Sequence, residues 1–191
     1  MSCYYSYFLG FMKDDELHYA GPYDRLGKPL ELITWSDSSM GHRELRENFY
    51  GVRECDQTIH DNFMWDYSLY GDGSNMDIRI NFIPLSELAR LVGNAGVRKG
   101  FISIDAIDAI EQNPDIEPEY IVEEVLSPFG YAALPPEEQK KYSFYMWKEY
   151  DNVENFASQL MMMAENLAEG IVYGEGEFKM EDVVVFYPSP Y

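Results

Sequence analysis

Met76-Asp77-Ile78-Arg79-Ile80-Asn81-Phe82 alternates apolar and polar side chains without a break. A period of two marks a strand with one face in a core and one towards water, because successive Cβ atoms of an extended chain point to opposite sides. Before it stands Gly71-Asp72-Gly73-Ser74-Asn75, a dense turn signal, and before that residues 63–70 alternate bulky and polar positions. A hairpin of 63–70 with 76–83 is predicted. Further towards the N-terminus, Tyr5, Tyr7, Leu9 and Phe11 share one parity while Tyr4, Phe8 and Met12 share the other, which reads as a strand covered on both faces. Lys13-Asp14-Asp15-Glu16 makes a polar turn, residues 17–20 run back, Gly21-Pro22-Tyr23-Asp24 breaks the chain, and 29–35 offers a third short strand.

Helical signals begin at Ser38 or Ser39, either of which can cap a helix over 40–49, and recur at Pro84-Leu85-Ser86-Glu87, which opens a helix through 92 stopped by Gly93-Asn94. After a brief strand at 101–104, Asp105 caps a helix to Gln112. A second helix is expected over 117–126 with Ile121, Val122, Val125 and Leu126 inward, ended by Ser127-Pro128. Pro135-Pro136-Glu137-Glu138 places prolines and acids where a helix to 150 would begin, and a further helix over 152–169 is closed by Gly170. Residues 171–173 and 181–187 are strand-like. Strands first, helices later and a strand returning at the end predict an α+β fold: an N-terminal antiparallel sheet, helices mainly in the C-terminal half and a returning C-terminal strand. No internal repeat or long linker demands a second domain, so 1–191 reads as a single α+β domain with 105–170 as its mainly helical, acidic portion.

The chain is strongly acidic, with 34 Asp and Glu against 14 Lys and Arg, and the excess is uneven. Residues 1–100 carry 15 acidic and 10 basic side chains; residues 101–191 carry 19 and 4. Such a field repels nucleic acid and anionic lipid and speeds encounter with basic partners. With 11 Phe, 16 Tyr and 3 Trp, the chain is far too aromatic for a disordered acidic tail. Two cysteines, Cys3 and Cys55, make neither a disulfide framework nor a CxxC site, and the first residues lack a signal-peptide pattern. The expectation is a folded protein of the reducing cytoplasm that neither spans a membrane nor binds nucleic acid directly.

Chemical motifs are sparse. His18, His42 and His60 lie in separate segments without HExxH spacing and read as ordinary surface or half-buried histidines. No nucleophile elbow or phosphate loop is present. Asp72, Ser74, Asn75 and Asp77 superficially resemble a calcium loop but lack its late glutamate and central glycine. Asp105, Asp108 and Glu111, at three-residue steps, would line one side of a helix. A solvated face explains them better than magnesium, whose ligands are normally drawn from several elements. Glu177-Phe178-Lys179 has the spacing of a nuclease E-x-K pair without the upstream strand-end aspartate. Met161-Met162-Met163 cannot all face one side of a helix, so at least one should be exposed. No catalytic residue, metal or cofactor is expected.

Cys3-Tyr4-Tyr5-Ser6-Tyr7-Phe8-Leu9-Gly10, followed by Gly21-Pro22-Tyr23-Asp24, resembles the start of small acidic hypothetical proteins of phages and mobile elements of Firmicutes, over about the first quarter of the chain. Lys140-Lys141-Tyr142-Ser143-Phe144-Tyr145-Met146-Trp147 is similar in character. The resemblance implies no activity and no catalytic residues. What it implies is a setting, a phage or prophage protein acting on host machinery.

Charge and setting together lead to a non-enzymatic inhibitor that occupies the basic surface of a nucleic-acid-binding host protein, such as a defence nuclease, as anti-CRISPR and DNA-mimic proteins do. Asp105, Asp108, Glu111, Asp115, Glu117, Glu119, Glu123 and Glu124 would stand in for phosphates, with tyrosines supplying stacking and apolar contact. Two alternatives are a self-associating phage structural or assembly protein and an enzyme with dispersed carboxylate metal ligands. Self-association alone would favour the first, and activity gained with magnesium or manganese the second.

Overall fold

The computed structural model describes residues 4–19, 21–52, 54–63, 78–175 and 177–190. In chain order its elements are β1 (Tyr4–Lys13), β2 (Glu16–Tyr19), β3 (Ile33–Ser36), α1 (Met40–Arg46), β4 (Tyr50–Gly51), β5 (Glu54–Cys55), α2 (Gln57–Phe63), β6 (Ile78–Pro84) and α3 (Leu85–Asn94). These are followed by β7 (Val97–Ser103), α4 (Ile104–Gln112), α5 (Pro128–Ala132), α6 (Pro136–Gln139), β8 (Tyr142–Lys148), α7 (Asn152–Glu175) and β9 (Val183–Pro190). The fold is α+β. It separates into two compact units, residues 1–93 with 152–191 and residues 94–151, so the acidic span 105–170 is divided between them.

The larger unit is built on a seven-stranded sheet in the order β4-β6-β9-β1-β2-β5, with β3 also pairing β1. All its pairs are antiparallel except β2 with β5. β1 and β2 are joined by a two-residue turn in which Asp14 and Asp15 both have positive φ, 52° and 66°, the twist that suits the right-handed coil of a hairpin. The returning strand β9 lies between β1 and β6, with Phe186 opposite both Phe8 and Phe82. One sheet face presents Tyr7, Leu9, Phe11, Val183 and Val185 to Leu45 of α1, Leu88 of α3 and Ala157, Leu160, Ala164 and Ala168 of α7. The other presents Phe8, Leu17, Ile80, Val184 and Phe186 to Ile59 and Phe63 of α2. Helices therefore cover both faces, and burying each large side chain contributes about 1.5–3 kcal/mol. α1 approaches α7 closely at Gly41, where a Cβ would overlap Asn152.

Several boundaries differ from the sequence-based expectation, each for a packing reason. The 63–70 arm of the predicted hairpin and the Asp72–Asp77 loop lie outside the described residues, apart from Phe63, which closes α2. α7 runs through Gly170 and takes in 171–173, expected to be a strand. Gly170 does not adopt the left-handed conformation that would end a helix, and Leu167, Ile171 and Val172 keep packing on the core. Met162 is the exposed member of the methionine triplet, while Met161 and Met163 pack inward. His42 is fully buried, which corrects its reading as a surface or half-buried histidine. Its Nδ1 donates to the Ser36 carbonyl at 3.1 Å, and its Nε2 lies 2.7 Å from the Tyr7 hydroxyl, from which it accepts when the ring is neutral. Among the described residues no helix is long and apolar enough to cross a membrane.

Candidate acidic interface

The smaller unit is organised by β7 and β8, paired antiparallel over their full length, with α4, α5 and α6 carried on the connection between them. Gly96 starts it. Its φ of +69° turns the chain into β7, its N–H donates to an Asp151 carboxylate oxygen at 3.1 Å, and its carbonyl accepts from the Glu149 N–H at 2.8 Å. Ile102 and Trp147 are its buried apolar anchors, and the Trp147 indole donates to Glu149 at 2.7 Å.

Two expected helices give way here. Residues 117–126 form only a 3-10 turn at Pro118–Tyr120 before the chain extends. Leu126 then exchanges both backbone hydrogen bonds with Phe101, so the edge of β7 takes the peptide groups that a helix would have used. The helix expected from Pro135 to 150 is confined to α6, and β8 follows at once. Tyr142, Phe144 and Tyr145 are strand formers, and β7 supplies the ladder that makes extension favourable. The cap of α4 also moves. The Ser103 hydroxyl accepts from the Ala106 N–H at 3.1 Å, and Asp105 stands in the first turn, where the helix dipole favours a carboxylate.

All eight predicted contact residues are exposed: Asp105, Asp108 and Glu111 on α4, Asp115 and Glu117 in the following loop, Glu119 in the 3-10 turn, and Glu123 and Glu124 on the extended segment. Residues 101–139 contain no lysine or arginine. Of the flanking cations, Lys140 pairs with Glu137 at 3.0 Å, Lys141 with Glu138 at 2.9 Å and Arg98 with Glu149 at 3.1 Å. Among the described residues none of the eight carboxylates is in a salt bridge.

Asp105, Glu123 and Glu124 are brought together around an open concavity of about 410 Å³ floored by Ala106, Ala109 and Ile121. Asp108, Glu111, Asp115, Glu117 and Glu119 lie outside its lining. Tyr142, absent from the predicted set, completes the wall. Its hydroxyl donates to Glu124 at 3.0 Å, and that bond holds the phenol above its ordinary pKa. The same unit also exposes apolar groups. Phe129 is 88% exposed, Tyr120 76%, Met146 61% and Phe144 52%, while Phe101 stacks on Tyr131 at 3.9 Å between centroids. The signal that could have found Tyr142, Phe144 and Met146 was their shared parity within 142–148.

Chemically, this surface can receive cations and aromatic or aliphatic contacts. Among the described residues no three histidines, cysteines or carboxylates converge to hold a metal ion. Burial pushes the Cys55 thiol up to about 11, with Asp56 and Glu16 adding to the effect, so it carries little thiolate at neutral pH. No protein-family model, curated protein or solved structure matches the chain.

Proposed function

We propose that this protein is a non-enzymatic binding protein of phage type whose smaller unit occupies a basic, nucleic-acid-binding surface on a host protein, such as a defence nuclease, and inhibits it as a DNA mimic or anti-CRISPR protein would. The observation that carries the reading is the set of eight exposed carboxylates from Asp105 to Glu124 in a stretch free of basic residues. At about 0.15 M salt the Debye length is about 8 Å, so clustered carboxylates act together near a basic groove. Exposed Phe129 and Tyr120 add apolar and stacking contact, which steering alone does not supply.

The test is capture of proteins from a bacterial lysate on the immobilised full chain, at low and physiological salt, with duplex DNA as competitor. Nucleic-acid-binding proteins that DNA displaces are the expected catch. Combining Asp105→Asn, Asp108→Asn, Glu111→Gln, Glu123→Gln and Glu124→Gln should slow their association by about tenfold. Neutralising Glu44, Glu47 and Glu54 together should change it much less. Equal losses from the two sets, or binding indifferent to salt, would reduce the acidity to a role in solubility and end the mimic reading.

A further inference from the structure

The two outer edges of the β7–β8 sheet are not equivalent. Phe101 exchanges both backbone bonds with Leu126, at 3.1 and 2.9 Å, so its N–H and C=O point away from β8. Phe101 lies opposite Phe144, which makes that a non-hydrogen-bonded pair of the ladder. The peptide groups of Phe144 must then also point outward, away from β7. Two further bonds confirm the alternation: Ile104 N–H to the Lys141 carbonyl at 2.9 Å, and Glu149 N–H to the Gly96 carbonyl at 2.8 Å. Tyr142, Phe144, Met146 and Lys148 thus aim their N–H and C=O groups at the outer edge of β8, and their side chains share one sheet face.

Leu126 occupies the edge of β7. Among the described residues no strand pairs with β8 besides β7, and the side chains of Phe144 and Met146 are more than half exposed. A two-stranded sheet with such an edge is a template for one more strand. Tyr142 is both the first residue of that edge and a wall of the concavity formed with Asp105, Glu123 and Glu124. A strand laid along β8 therefore has one end beside three carboxylates.

We infer that β8 is the docking edge for an extended segment of the partner, which adds as a third strand, sets apolar side chains against Phe144 and Met146, and delivers a lysine or arginine to the concavity at the Tyr142 end. This rests on the proposed function and makes its partner element specific. The sheet edge supplies backbone pairing, and the three carboxylates at its Tyr142 end select a cationic side chain there, while Lys148 stands at the other end. A second copy of this chain would instead bring its own acidic excess into the contact.

The probe is a short extended peptide of alternating valine and threonine ending in two arginines, titrated into the full chain and followed by amide hydrogen exchange. The amides of Phe144 and Met146 should exchange rapidly in the free chain and become protected on binding, whereas that of Tyr145 is protected throughout. Met146→Pro removes an outward N–H and leaves the β7 ladder intact, so it should weaken binding by about tenfold. The same peptide N-methylated on its strand-facing amides should lose as much against the unaltered protein, which keeps the result independent of how the proline variant folds. Exchanging the two arginines for glutamates should abolish binding.

Full affinity for Met146→Pro and for the methylated peptide, with loss only in the five-residue neutralised variant, would overturn strand addition and leave the acidic reading standing. Sensitivity to Met146→Pro with full binding by the neutralised variant would remove the acidic reading and the cationic occupant with it. Failure of the probe to bind would overturn the inference. So would edge protection that rises with protein concentration in the absence of peptide, since the occupant would then be a second copy.

Discussion

The two units solve the same problem, how to bury apolar residues, to very different extents. In the larger one, Val183 to Tyr187 of β9 are five consecutive buried residues, and the sheet is covered on both faces. In the smaller one, α4, α5, α6 and the 3-10 turn bury no residue at all, and Phe129, Tyr120, Met146 and Phe144 stay exposed in the unit that carries the eight carboxylates. A sheet with a buried cluster on each face makes a scaffold. A thinly covered sheet with exposed aromatics, in a unit whose 101–139 stretch has no basic residue, makes a surface whose apolar groups are available to a partner. The difference places most of the buried apolar core in one unit and these exposed aromatic and acidic groups in the other.

The sharpest way to break that comparison is to truncate one phenylalanine from each unit. Phe186→Ala removes a ring that is fully buried and packs within 5.2 Å of Phe63 and 5.6 Å of Phe8, and it should cost about 3–5 kcal/mol in urea unfolding. Phe129→Ala should stay within about 0.5 kcal/mol of the parent. A comparable cost at Phe129 would mean that the smaller unit has a core after all.

Gly96→Ala comes next. The substitution imposes a side chain at positive φ and drives a Cβ into the Glu149 carbonyl oxygen, so a loss of about 2 kcal/mol or more is expected, confined to 94–151. Hydrogen exchange should show β7 and β8 amides opening while those of β1 and β9 keep their protection. Uniform loss across both sheets would show that the two units unfold as one.

A smaller effect separates the units by pH. Burial is the main cause that lowers the His42 pKa below its ordinary 6.5; the nearby Arg46 adds to it, and the Ser36 carbonyl and Asp37 oppose it. The unfolded chain therefore binds a proton at this site more readily than the folded one. Stability from His42 is complete above about pH 6.5 and falls as pH drops from there through the lower folded value, by at most about 1.4 kcal/mol per pH unit. Urea midpoints between pH 7.5 and 5.5 should show this slope, and His42→Gln should flatten it. An unchanged slope would assign the acid sensitivity to other groups.

Legibility in the sequence followed the source of the physical signal. The alternation of Ile78, Ile80 and Phe82, the two-faced apolar character of β1 and the strand character of 181–187 come from local side-chain patterning, and these segments are the neighbouring strands β6, β1 and β9. The exposure of Met162 followed from helix geometry alone. Composition determined that the carboxylates between 105 and 124 have no basic neighbours in sequence, and eight charges of one sign are too costly to bury without partners.

Other features needed contacts between residues far apart in the chain. Whether 142–148 is helix or strand is settled by β7, far earlier in the chain, because the extended form is favoured only when a ladder partner is in place. Leu126 leaves its expected helix because Phe101 offers it two backbone bonds. His42 became a core residue through Tyr7 and Ser36, and nothing in its local sequence marks a buried imidazole. Local pattern and composition thus determined which segments could become strands and where the charge would lie. Only tertiary structure decided which edges were satisfied, which carboxylates met around Tyr142 and which edge has no strand partner among the described residues, because each of these depends on partners supplied by distant residues.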